Sequence, residues 1–138
     1  MTTLVLTDAF VSINAVDLSD HVRSLTLNYE NELLDDTVMG DDTRSRLSGL
    51  FDWNLEVVFL QDFAAAEIDA TLHAIVLAKL PIVCVVRADN AAGVGAANPD
   101  YTGTAVIGPY PILSNAVGEL AEVTARFEAA GTLVRTTV

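Results

Sequence analysis

The chain reads as a mainly β domain, a sandwich or barrel with one flanking α-helix and a long loop between two strands. Three observations predict this. Segments 22–30, 51–59 and 120–130 alternate apolar and polar side chains with the period of two that marks a half-buried strand. One segment, 64–79, carries apolar residues at helical spacing instead. The remaining apolar runs are short and separated by Gly, Pro, Asn and Asp, which gives about eight strands in all.

Residues 3 to 6 and 10 to 16 read as short strands, the second ending at the turn signal Asp17-Leu-Ser-Asp20. In Val22 to Glu30, Leu25, Leu27 and Tyr29 share one face, and Ser24, Thr26, Asn28 and Glu30 the other. After the loop, Phe51, Trp53, Leu55, Val57 and Phe59 oppose Asp52, Asn54 and Glu56, so the two strands can pair and bury a common aromatic layer. The segment between them, Asn31 to Leu50, is far longer than a hairpin turn, and polar loops of that length in compact domains are usually functional or disordered.

The helix is expected over Ala64 to Lys79, with Ile68, Leu72, Ile75, Val76 and Leu80 on its apolar stripe, Asp62 as N-cap, Glu67 favourable in the first turn and Pro81 ending it. Ile82 to Arg87 is an unbroken β-branched run, a strand buried on both sides. Asp89 to Asp100 is a loop rich in Gly, Asn and Ala. Tyr101 to Ile107 and Tyr110 to Ser114 follow as strands around Gly108-Pro109. Leu120 to Ala130 alternates with Val123, Ala125, Phe127 and Ala129 inward and Glu122, Thr124, Arg126 and Glu128 outward, before a last strand at Thr132 to Thr137.

With 138 residues and 51% hydrophobic content, the chain matches one domain spanning 1–138. A net charge of −12 with only seven Lys and Arg argues against a phosphate-gripping or anionic-membrane surface. No stretch reaches the roughly 20 apolar residues of a membrane span, and the N-terminus lacks the basic start of a signal peptide. Cys84 is the single cysteine and lies in an apolar run, which reads as a buried core thiol.

Catalytic chemistry finds little support. His21 in Ser19-Asp20-His21 collects triad residue types, but sequence neighbours cannot converge as a triad, and a turn histidine is the simpler reading. His73 has no second His or Cys at ligand spacing. Asp35-Asp36 and Asp41-Asp42 flank Gly40 without the ligand spacing or helices of an EF-hand, so they read as loop charge. Gly93-Val94-Gly95 lacks the third glycine and the βαβ context of a dinucleotide fingerprint. No enzyme, cofactor or metal site is expected.

The runs Asp17–Glu30, Leu34–Asp42, Arg44–Trp53, Gln61–Phe63, Arg87–Asn90, Asn98–Gly103 and Ala125–Gly131 together resemble the tail tube (major tail) proteins of long-tailed bacteriophages. The similarity covers nearly the whole chain, with Leu80–Val86 more apolar than the family pattern. It implies a non-enzymatic virion protein, assembled in the host cytoplasm into hexameric rings that stack as a conduit for DNA ejection. Its partners would be further copies of itself and tail terminator, tape measure and tail tip proteins, with no membrane. Four strands from each of six copies would give about 24 strands and, at ~4.8 Å spacing, a barrel near 37 Å across before tilt enlarges it.

Two residue sets follow as expectations. Asn28, Glu30, Asp52, Asn54, Glu56, Glu122 and Glu128 line the lumen, where acidic groups let DNA slide rather than stick; the alternative is an outer, solvent-facing surface. In the loop, Leu33, Leu34, Val38 and Met39 anchor on a neighbouring subunit, while Asp35, Asp36, Asp41, Asp42, Arg44 and Arg46 match charges across that interface. The competing readings are another ring-forming protein (terminator, connector or secretion-type inner tube) and a small-molecule-binding β-domain.

Overall fold

The computed structural model describes residues 3–137. It consists of β1 (Phe10–Ile13), β2 (Val16–Asp17), a 3₁₀ turn (Ser19–His21), β3 (Val22–Asp35), β4 (Arg46–Leu60), α1 (Ile68–Ala78), β5 (Ile82–Arg87), β6 (Asp100–Ile107), β7 (Glu122–Ala129) and β8 (Val134–Thr136). All eight strands join one antiparallel sheet in the order β2-β1-β5-β6-β7-β4-β3, with β8 and β7 sharing the far edge of β6. The mainly β class with one flanking helix is therefore observed. The barrel is not: within the chain β3 ends the path on one side and β2 on the other, so the sheet does not close.

One face of the sheet and the inward stripe of α1 form a single core. Trp53, Leu55, Val57 and Phe59 of β4 meet Val123, Ala125 and Phe127 of β7, with Ile68, Leu72 and Ile75 of the helix and Val11, Ile13, Ile82, Cys84 and Val86 from the other end of the sheet. The alternation that predicts β4 and β7 is thus the alternation of dry and wet faces.

Several expected boundaries move. Residues 3–6 form no strand, and Leu4, Val5 and Leu6 stay exposed. The 10–16 strand is a tight hairpin: Asn14 and Ala15, both at positive φ (52° and 66°), turn β1 back onto β2. The helix begins at Ile68, not Ala64, because Asp62 spends its side chain accepting from Ala64 N–H and Ala66 takes a left-handed φ of 64°. Glu67 is the N-cap residue, without a side-chain capping bond, and left-handed Lys79 closes the helix before Pro81.

Tyr110 to Ser114 is not a strand. That segment is tied to the helix and its approach by side chains, with Tyr110 donating to Asp69 Oδ1 at 2.8 Å and Gln61 Nε2 donating to the Tyr110 hydroxyl and to Ile112 O. Burial, and then the bond to the Asp69 carboxylate, pushes the Tyr110 phenol up to about 12 against the opposing pull of the Gln61 donor. The 89–98 loop is closed by buried Asn98, whose amide donates to the carbonyls of Asp89, Ala92 and Gly93 while its oxygen accepts from Asp89 N–H.

Candidate assembly surface

The largest departure from the sequence reading is the 31–50 loop. Strand pairing continues to Asp35 and resumes at Arg46, leaving only residues 36–45 as the connection. The pairs Leu33↔Ser48, Leu34↔Leu47 and Asp35↔Arg46 extend the hairpin past a register shift at which Gly49 and Leu50 together oppose Glu32. Glycine suits that shift, since a Cβ at position 49 would sit 3.3 Å from Glu32 Cβ.

The result is a two-stranded ribbon that outruns its neighbour. β7 pairs β4 only over Asn54–Leu60, so the outer ribbon has no third strand. The outer edge of β3, 14 residues long, pairs with nothing among the described residues.

At the ribbon's end the connection is ordered by its own side chains. Asp35 accepts from Thr37 N–H at 2.9 Å and from Arg44 Nη1 at 2.8 Å. Thr37 Oγ1 bonds both the N–H and the carbonyl of Ser45, and Asp41 Oδ2 accepts from Val38 N–H. The hydrogen bonds from Thr37, with Arg44 beside them, hold the Asp35 carboxyl below its ordinary value. Gly40, at φ 94°, makes the tip turn.

These bonds leave the apolar side chains outside. Met39 is fully exposed and Val38 66% exposed, and Leu33 and Leu34 are exposed along the ribbon. Leu47, Leu50 and Phe51 join them, the last touching Tyr29 with ring centroids 5.6 Å apart. The pairing places Leu34 and Leu47 on one face and Leu33 on the other, so both faces of the outer ribbon are apolar. Sequence reading assigns Phe51 to the core face; it shares that face but lies beyond the reach of β7. The visible signal is length, since strands of 14 and 15 residues cannot be covered by one of eight.

Of the charged tip residues, Arg44 pairs with Asp35, whereas Arg46 makes no ion pair among the described residues. Asp36 contributes its backbone N–H to Ser45 O, and Asp42 lies exposed next to Asp41 in the connection.

The seven residues expected to line the lumen lie on one face of the sheet. Cross-strand rows set Glu30 beside Asp52, Asn28 beside Asn54 and Glu128, and Glu56 beside Arg126, with Glu122 opposite Leu60. Asn28 donates to Asn54 across the pair at 3.3 Å. Two arginines temper the acidity: Arg126 bonds Glu128 at 2.5 Å and Glu56 at 3.4 Å, and Arg23 pairs with Glu122. Glu128, then Glu56, raises the Arg126 pKa above its ordinary value. Glu30 and Asp52 are left without a basic partner among the described residues.

A concave site also exists. An apolar cleft of about 430 Å³ opens between Leu25, Leu27 and Tyr29 of β3 and Tyr101 of β6, with Leu133 and Leu6 at its walls. Its one charged wall residue is already engaged: Arg87 pairs with Asp100 at 3.0 Å and lies 4.5 Å from the Phe10 ring centroid.

No protein-family model and no curated protein sequence matches the chain. Solved structures do. A chain of the virion of a native gene transfer agent particle superposes with a TM-score of 0.75 at 15% identity, covering 94% of this chain and 95% of that one. The chain shares its fold with a chain of that virion. The same fold recurs in a chain of the tail of an empty gene transfer agent particle with C6 symmetry, at a TM-score of 0.68, 15% identity and coverage of 84% and 82%. It recurs again in the SPP1 Dit protein, a hub of the adsorption apparatus of phages infecting Gram-positive hosts (TM-score 0.52, 15% identity), where it spans 90% of this chain and half of that one.

Proposed function

We propose that the chain is a tail tube subunit: six copies form a ring, rings stack into a tube, and the genome leaves the virion through it. The observation that carries this reading is the outer ribbon, apolar on both faces and bare along its β3 edge. A lone subunit gains nothing by exposing Leu33, Leu34, Val38 and Met39; a subunit flanked on both faces by copies of itself buries them. The bare edge offers main-chain hydrogen bonds to a neighbour's strand, so the open sheet of one copy can continue into the next. A C6-symmetric tail containing a chain of the same fold supports six as the number.

In this arrangement the face with Glu30, Asp52, Glu56, Glu122 and Glu128 lines the channel and repels phosphate, while terminator, tape measure and tail tip proteins meet the tube at its ends. The role is structural, not enzymatic, and it belongs to the virion.

Negative-stain microscopy of concentrated protein tests the reading. Open-ended tubes are expected. A hairpin in which residues 36–45 are replaced by Asn-Gly preserves the Asp35↔Arg46 pairing and should fold but form no tubes. Single rings that never stack would instead point to a terminator or connector. The cleft beside Leu27 and Tyr101 keeps one other reading open, a small-molecule-binding domain, which requires a monomer whose melting temperature rises with ligand.

A further inference from the structure

His21 stands at the end of the 3₁₀ turn that opens β3, and the linker between β4 and α1 wraps around it. Its Nε2 lies 3.0 Å from Asp62 Oδ2, while Nδ1 lies 2.9 Å from Asp20 Oδ1 and 3.5 Å from Glu67 Oε2. The imidazole is largely buried, at 16% exposure. Asp62 is itself fixed, because its other oxygen accepts from Ala64 N–H.

A neutral imidazole carries one proton. If Nε2 donates it to Asp62, the Nδ1 lone pair faces two carboxylate oxygens, three acceptors converging on one point. Something positive must sit there. A second proton on the ring supplies one charge against three carboxylates, and among the described residues no Lys or Arg pairs with Asp20, Asp62 or Glu67.

From this convergence we infer a divalent-cation site, with His21 Nδ1, Asp20 and Glu67 as ligands. The three ligand atoms lie within 4.8 Å of one another. Zinc–nitrogen and zinc–oxygen bonds of about 2.0–2.2 Å in a tetrahedron set ligand atoms roughly 3.4 Å apart, and the observed 2.9 and 3.5 Å separations from Nδ1 bracket that value. Asp62 then orients the imidazole from behind, the usual partner of a metal-bound histidine. One imidazole with two carboxylates suits Zn²⁺ and similar ions; Ca²⁺ wants six to eight oxygens, more than this cluster offers. The site joins the base of the β3–β4 hairpin to the approach of α1, at the end opposite the exposed tip.

Calorimetric titration of EDTA-stripped protein with Zn²⁺, paired with thermal melts, tests the site. One equivalent should bind and raise the melting temperature, and Ca²⁺ should do neither. His21→Gln and Glu67→Gln, checked for native circular dichroism, should each weaken binding at least tenfold, and Asp62→Asn by about 10–100-fold. If a variant does not fold, the ¹⁵N shift of His21 Nδ1 in the unaltered protein decides, since it must move on saturation with Zn²⁺. Absence of saturable binding at about 1 mM Zn²⁺, an equal response to Ca²⁺, or undiminished binding by His21→Gln would overturn the assignment and leave a proton as the only occupant.

Discussion

The indole of Trp53 occupies the space a side chain at Gly103 would need. A Cβ there would fall 2.4 Å from Trp53 Cζ2, and the indole N–H donates to Gly131 O at 2.8 Å. Trp53 sits on β4 just beyond the end of its pairing with β7, so the ring reaches past β7 to β6 and the β7–β8 turn and locks three segments together.

Gly103→Ala should therefore destabilise the fold by about 1–3 kcal/mol through overpacking. Trp53→Phe removes the donor to Gly131 and should cost about 1 kcal/mol from that bond, plus lost packing. Urea unfolding followed by circular dichroism measures both, and a neutral Gly103→Ala would show that the indole moves aside freely.

Cys84 lies in the core, and burial pushes its thiol up to about 12. Ellman's reagent at pH 8 should leave the native protein unlabelled and modify one thiol per chain once denaturant is added. Rapid native labelling would mean that β5 opens readily.

At the ribbon tip, Asp35 titrates below the usual carboxylate value because its charged form accepts hydrogen bonds from Thr37 and pairs with Arg44. A depressed folded value means that the tip gains order above the unfolded pKa, near 3.8, and loses it as pH falls through the lower folded value. The Thr37 amide resonance should report this transition, with a midpoint below 3.8, and Asp35→Asn should abolish it. A midpoint at or above the ordinary value would contradict the described tip.

Met39→Asp and Val38→Asp place charge on exposed side chains, so the monomer's stability should stay within about 0.5 kcal/mol. Tube formation should nevertheless fail. Tubes of normal length from either variant would remove the tip from the assembly interface.

Charge reversal tests the proposed channel face. Tubes of Glu30→Lys/Asp52→Lys protein should retain duplex DNA at low salt and release it with a log–log slope of roughly −0.9 per phosphate engaged. Filter binding or co-sedimentation measures this, and retention no greater than that of the unaltered tube would place the acidic face outside.

How much of this was legible follows from what each residue responds to. Leu25, Leu27, Val57, Phe59, Val123 and Phe127 alternate because one neighbour is dry and the next wet, and that contrast is written in composition. Past Glu30 the contrast disappears: Leu33 and Leu34 are adjacent and both exposed, so a real strand carries no period-two signal and reads as loop. The helix start was hidden by Asp62, a residue type that caps helices but here caps a bend at Ala64. Tyr110's bonds to Asp69 and Gln61, and the convergence of Asp62 and Glu67 on His21, join positions some 40 residues or more apart, which no local pattern encodes.

The bare edge of β3 has one more consequence. Where the β3 edge of one copy pairs with a different edge of the next, the contact is heterologous, and such contacts close into a ring only if each copy turns through the right fraction of a circle; any other rotation yields an open helix. Affinity then fixes whether copies join, while sheet twist fixes what they build. The extra residue Arg23, bulged between Val22 and Ser24, sets local twist at that edge, and deleting it should convert the proposed closed rings into spiral filaments without weakening the contact.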